Sequence, residues 1–239
     1  MSDQAAASVH AEAHAEGHNP ALLHHFAEPE QQRDAASLGM WVFLATELMF
    51  FGGMFCAYLI YRLKYFGDFA AASSTLNTAL GATNTGVLIC SSLTVVLAVW
   101  AAQTARRTLL ITSLVLTIIL GFGFLGIKGI EYRDKFVEHH VPGPSFSFDS
   151  EPIPGHPGQF ANPNHAQIYF ALYFIMTGLH AVHMIIGIGI FVWLLTLAWK
   201  RRLTPEYNTP VEIGGLYWHF VDIVWIYLFP LLYLIDKHK

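Results

Sequence analysis

The chain has 239 residues, of which 54% are hydrophobic and only 13% charged, with a formal net charge of −4. Soluble domains carry about 25% charged residues, so this composition excludes an ordinary soluble globule and points to an integral membrane protein. The weakly acidic balance, with no basic stripe, gives no footprint for nucleic acid.

The first 37 residues are rich in Ala, Glu and His and contain no basic segment followed by an apolar core, so they do not read as a secretory signal. They read as a disordered, solvated extramembrane tail. His10, His14 and His18 recur every fourth residue, a spacing that would put them on one helix face and suit a divalent metal.

Crossing about 30 Å of hydrocarbon takes roughly 20 helical residues. Five uninterrupted apolar runs meet that length, at about 38–63, 80–103, 108–130, 166–199 and 213–235. None alternates with the period of two that marks a membrane barrel, so the expected fold is all-α, a polytopic bundle of five transmembrane helices occupying residues 38–239. The fourth run is long enough to overhang the bilayer or to tilt. Between the third and fourth runs, residues 131–165 form an extramembrane connection whose centre, "VPGPSFSFDSEPIPGHPGQFANPN", is too rich in Pro, Gly and Ser for regular structure. Cys56 and Cys90 both fall in apolar runs and behave as small hydrophobes, with no metal-ligand spacing.

Basic residues near span ends set orientation. Arg106, Arg107, Lys200, Arg201 and Arg202 lie in the two short loops on the N-terminal side, against Arg62 and Lys64 in the short loop opposite and Arg133 and Lys135 in the long one, which counts for less. The N-terminus is expected in the cytoplasm and the C-terminus outside.

Ionisable side chains inside a bilayer are costly and need partners. The first run contains "FLATELMFFGGMFCAY", in which Glu47 is the sole charge. It sits about nine residues into its span, on the order of 14 Å at 1.5 Å per residue, near the midplane. In "TGLHAVHMIIGIG" of the fourth run, Thr177, His180 and His183 are three apart and share a helix face. In "YWHFVDIVWIYLF" of the fifth, His219 and Asp222 have the same spacing. Together these groups read as an interhelical hydrogen-bond system. Three roles stay open from the residues alone: structural glue that also seats lipid headgroups, a carboxylate proton relay, or ligation of a b-type haem by facing histidines. Gly52, Gly53, Gly187 and Gly189 are expected at close helix contacts.

Those stretches, with "LNTALGATNTGVLICSSLTV" and "LGFGFLGIKGIEY", occur in the order found in subunit III of the haem-copper terminal oxidases. The chain resembles that family, most closely its five-helix bacterial cytochrome c oxidase form. The resemblance implies a non-catalytic accessory core subunit of a proton-pumping oxidase in the aerobic respiratory chain, multi-pass in the bacterial inner membrane. It implies no redox centre in this chain and places haem and copper in partner subunits. Subunit I is the principal partner and subunit II a second, with bound phospholipid and contacts to other respiratory complexes as further expectations. The implied role is to sustain proton uptake and turnover stability. Glu47 falls on the family's buried carboxylate, Glu131 and Tyr132 on its E-Y motif, His180 and His183 on H-x-x-H, and His219 and Asp222 on W-H-F-V-D. Glu131 reads as the end of the third span, beside Lys128 and Arg133.

Two features depart from longer members, which have two further helices ahead of this core and a lipid-filled cleft between. Here a His-rich tail takes their place. Subunit III of quinol oxidases has a similar layout, often with Asp where this chain has Glu47, which favours the cytochrome c type. An accessory subunit of a nitric-oxide-reducing system, a lone transporter or channel, and a b-type cytochrome are the alternative readings.

Overall fold

The computed structural model describes residues 28–148, 152–154, 158–204 and 207–234. The three spaced histidines of the tail lie outside them. Six helices make up the described residues: α1 Pro29–Lys64, α2 Phe66–Ser74, α3 Thr78–Gln103, α4 Arg107–Val137, α5 Pro163–Trp199 and α6 Thr209–Tyr233. All but α2 are long and apolar enough to cross a membrane. The all-helical five-span architecture expected from the sequence is the one observed.

Two boundaries and one additional helix differ from expectation. The first helix starts at Pro29 rather than near residue 38, because Pro at the first helical position is pre-set for helix and nothing in "PEQQRDAAS" breaks it. So residues 29–37 belong to α1 and not to a disordered tail. The third span continues to Val137, which moves 131–137 out of the expected loop and puts Glu131 inside a helix. A hydropathy window stops at the first cluster of charges, whereas the backbone stops only where a cap is available. The nine-residue α2 was not expected at all, being too short and too mixed to register as a span.

Capping explains the ends. Asn77 Oδ1 accepts from Ala79 N and Leu80 N at 3.0 and 3.3 Å to start α3, and Asn162 Oδ1 accepts from Asn164 N at 3.0 Å to start α5. Three helices stop on a residue with positive φ that is not glycine: Ala105 (57°), His139 (56°) and Arg201 (55°). After α5, Arg201 N donates to Ala198 O at 3.3 Å and Arg202 N to Leu197 O at 3.0 Å. That is the paired reversal that usually places glycine at the left-handed position, where any other residue costs roughly 1–2 kcal/mol.

Packing centres on α3, α4, α5 and α6. Trp218 of α6 is fully buried and wedged where α4 and α5 each present a glycine. A Cβ at Gly187 would meet Trp218 ring atoms at 3.0 Å, and one at Gly121 would meet Trp218 Cη2 at 3.0 Å. Gly187 is thus the close contact that its sequence suggested. Gly52, Gly53 and Gly189 are not, since a Cβ at each meets nothing within 4 Å among the described residues. They face out of the bundle.

The short α2 seals one end. Leu231 and Leu232 lie in the last turn of α6, where carbonyls have no helical partner. Tyr58 OH of α1 donates to Leu231 O at 2.9 Å. Ser73 Oγ of α2 and Tyr169 OH of α5 both donate to Leu232 O, at 2.7 and 2.8 Å. The Pro/Gly connection folds back on the same end, with the His140 ring stacked on Phe170 at 4.9 Å and Phe148 buried beside it.

Candidate functional site

The polar residues in the bundle form separate groups rather than one system. The first joins α1 to α5. Glu47, at the middle of α1, places Oε2 at 3.2 Å from His183 Nε2. The other ring nitrogen, Nδ1, lies 2.8 Å from Leu179 O. A backbone carbonyl only accepts, so Nδ1 carries a hydrogen. Nε2 is left as the ring nitrogen that faces the Glu47 carboxyl. Phe51 closes one side, its ring 5.4 Å from the imidazole, and Tyr217 OH donates to His183 O at 3.0 Å. Both polar side chains stay partly accessible, at 21% for Glu47 and 13% for His183.

The second group is sealed. Lys128 and Glu131 are one turn apart on α4, with side chains 4% and 3% accessible. Lys128 Nζ donates to Glu131 Oε2 at 3.0 Å, to Tyr233 OH at 2.8 Å and to Tyr173 OH at 3.3 Å. An ammonium has three donors, and here all three have partners. Tyr173 OH donates to Glu131 Oε1 at 2.8 Å, and Tyr233 OH donates to the same oxygen. The ammonium also lies 4.8 Å from the Trp225 ring centre and 5.2 Å from that of Tyr173, within the range of cation–π attraction. Three helices, α4, α5 and α6, are tied together by one ion pair.

The remaining candidates divide. His219 Nδ1 lies 2.7 Å from Ser92 Oγ and so links α6 to α3. His180 is buried edge-to-face against Phe124, and its ring lies 5.2 Å from Trp225. Neither His180 nor Asp222 has a side-chain hydrogen bond among the described residues. Thr177 shares the His180 stripe but meets Tyr132 OH at 2.6 Å. So the three-residue spacing on α5 does put these groups on one side of the helix, yet it sends His183 toward α1 and Thr177 toward α4. One hydrogen-bonded system linking all the buried groups is corrected to three local contacts. Glu131 is corrected from a span-end acid to the acceptor of a closed core network, because α4 runs on past it.

Sequence reasoning set Lys128 beside Glu131 but did not seal the two together, and it missed Tyr173 and Tyr233 as their partners. The signal was present: a Lys and a Glu three apart in "GIKGIEY", embedded in a long apolar run, are positioned to pair on one helix face. No group of three or more His, Cys, Asp or Glu side chains converges on a metal position among the described residues.

A family model described as cytochrome c oxidase subunit III matches residues 24–140 and 162–237. The chain belongs to that family. The gap in the match, 141–161, is the Pro/Gly connection. A cytochrome c oxidase subunit 3 from Corynebacterium diphtheriae is 34% identical over 202 residues, covering 84% of this chain and 88% of the relative. A probable cytochrome c oxidase subunit 3 from Nocardia farcinica is 32% identical over 199 residues, covering 83% and 87%. A probable quinol oxidase subunit 3 from Staphylococcus haemolyticus is 31% identical over 201 residues, covering 83% and 88%. The chain is a multi-pass membrane protein, subunit III of a bacterial haem-copper respiratory oxidase of the cytochrome c or quinol type.

Proposed function

We propose that this subunit is a non-catalytic brace of a proton-pumping cytochrome c oxidase. It packs on subunit I, with subunit II a second partner, seats phospholipid, and supports proton uptake and turnover stability at a redox site whose haem and copper belong to the partners. The observation that carries the reading is the Glu47–His183 pair, which joins α1 to the bundle near the middle of its span. The outer face of α1 supports it. Leu38, Trp41, Leu48, Met49, Ile60 and Leu63 are each at least 59% exposed, a surface suited to a partner helix or to lipid. The N-terminus lies in the cytoplasm and the C-terminus outside in this reading, following the five basic residues of the two N-side turns. The cytochrome c type rests on Glu47, and the quinol oxidase relatives keep the quinol type as the second reading.

The test uses the native complex. Purified through a tag on this chain, it carries a haem a and copper spectrum and oxidises reduced cytochrome c; oxidation of quinol alone selects the second reading. Within that complex Glu47→Gln retains oxygen reduction and pumping, because an amide still donates to Nε2. Glu47→Ala leaves the imidazole unpaired and shortens the working life of the enzyme. Loss of pumping in a normally assembled Glu47→Gln complex replaces the bracing role with a proton relay.

A further inference from the structure

Two polar side chains deep in the bundle have no hydrogen-bond partner in the chain. Asn84 of α3 is fully enclosed, at 0% exposure, and His180 of α5 is 1% exposed. Neither polar atom of the Asn84 amide and neither ring nitrogen of His180 has a hydrogen bond among the described residues. Asn84 lies six residues beyond Thr78, the first of α3. That is about 9 Å at 1.5 Å per residue, too deep for so short a side chain to reach bulk water. His180 lies near the middle of α5.

Both groups belong to one layer of the bundle. The His180 ring is 5.2 Å from that of Trp225 and 5.4 Å from that of Phe124, and Phe124 and Trp225 meet edge to face at 4.9 Å. Trp225 Nε1 donates at 3.1 Å to Thr85 Oγ1, on the residue next to Asn84. The antiparallel register of α3 and α4 gives Asn84 the same height. Thr94 meets Thr117; ten residues back along α3 is Asn84, and ten residues on along α4 is Ile127, between the buried Phe124 and Lys128. The layer around Trp218, two turns away on α6, is different. There Trp218 Nε1 donates to Ser91 Oγ at 3.1 Å, and Thr94 and Thr117 pair at 2.7 Å, so its polar side chains are matched.

A side-chain amide both donates and accepts, and a neutral imidazole offers one donor and one acceptor. Enclosed groups of this kind are bonded to protein or to ordered water in the large majority of cases. An occupant that serves both must donate and accept. It must also be neutral, because Lys128 and Glu131 already balance each other and a further charge is costly in hydrocarbon. A metal ion would use a ring nitrogen and the amide oxygen but leave the amide NH2 unmatched. We propose that ordered water inside the bundle bridges Asn84 to His180 beside Trp225, a small hydrated layer enclosed at membrane depth. Buried waters hold about three hydrogen bonds each, and these two side chains supply donors and acceptors from two helices. The first histidine of H-x-x-H thereby gains a bonding partner. The inference depends only on how α3 to α6 pack, and so stands or falls apart from the oxidase role.

The native complex, purified through a tag on this chain, is exposed to a synchrotron X-ray pulse and digested for mass spectrometry. Radicals formed from bound water oxidise the side chains beside it, so a fully buried residue labels where water is held. Trp225 and Trp218 are both at 0% exposure, which makes one the control for the other. Trp225 and His180 label readily, and Trp218 does not. Labelling of Trp225 no faster than that of Trp218 overturns the proposal and makes the layer dry. Asn84→Leu replaces the amide with an apolar group of similar size, and Trp225 labelling falls to the Trp218 level. Unchanged Trp225 labelling in that variant also overturns the proposal, since the water would then be held by other groups. The comparison of the two tryptophans in the wild type needs no variant to fold.

Discussion

Breaking the Lys128–Glu131 pair is the sharpest test of the packing described here. Both side chains are under 5% accessible, so removing one partner leaves the other buried without compensation, at about 3–5 kcal/mol. Glu131→Gln keeps an oxygen for the Tyr173 and Tyr233 hydroxyls but turns an amide toward the Lys128 ammonium, donor against donor. Lys128→Met removes the ammonium from among four aromatic rings and leaves the carboxylate with two phenols. In the double variant Met fills the aromatic space and the amide oxygen accepts from both phenols, so no charge remains. Its destabilisation should fall short of the sum of the single variants by about 2–3 kcal/mol, the upper range for coupled neighbours. Equilibrium unfolding in mixed micelles, titrated with SDS, measures all four proteins. Trp225 lies 4.8 Å from Nζ and supplies a fluorescence signal from the site itself. If the single effects add to within about 0.5 kcal/mol, the two groups do not act as a pair and the closed network is wrong.

Three further outcomes follow from other contacts. Gly187→Leu places side-chain atoms against a Trp218 ring that would already be 3.0 Å from a bare Cβ, and should cost about 1–3 kcal/mol in the same unfolding assay; Gly189→Leu, with nothing within 4 Å, should be near neutral in the isolated chain. Ser73→Ala alone leaves Tyr169 OH on Leu232 O and should cost little, whereas Ser73→Ala with Tyr169→Phe orphans that carbonyl and should cost about 1–3 kcal/mol beyond the single changes. His139→Gly relieves a φ of 56° at the end of α4 and should stabilise the fold by about 1 kcal/mol, seen as a later SDS midpoint.

The spans were legible because each exceeds the bilayer requirement in continuous apolar residues, and hydrocarbon admits few other solutions for a backbone. Helix ends were less legible, since Arg62, Lys128 and Glu131 look like span-ending charges until their partners are known. Lys128 and Glu131 neutralise each other, and a helix can carry such a pair without leaving the membrane. The candidate residues were legible as residues that need partners; which partners they find was not. Helical spacing fixes the direction of His180 and His183 relative to their own axis, but the choice between α1, α4 and α6 depends on helix crossing angles that no single sequence prints. The α2 segment was hidden for a different reason. Its nine residues earn their place by burying Phe69 and Ala70–Ala72 and by donating one hydroxyl to the end of α6, and neither contact leaves a periodic trace.

The two polar pairs inside the helix bundle, Lys128–Glu131 and Glu47–His183, differ in their exposure. Lys128 and Glu131 have every donor and acceptor engaged by groups of the same chain, within a core fixed by three helices. Separating that pair would break several hydrogen bonds at once, and the site acts as a rivet. Glu47 and His183 sit where α1 meets the bundle, each partly accessible. Little of α1 is buried in the bundle; it is held by Phe51 and Tyr58 in the core, by Met40, Met54 and Phe55 packed against it, by Phe43 stacked on Tyr217, by the Tyr58 bond to Leu231 O, and by the Glu47–His183 pair. The attachment of α1 therefore rests on a thin, partly accessible seam, while the core it joins is held by a sealed pair.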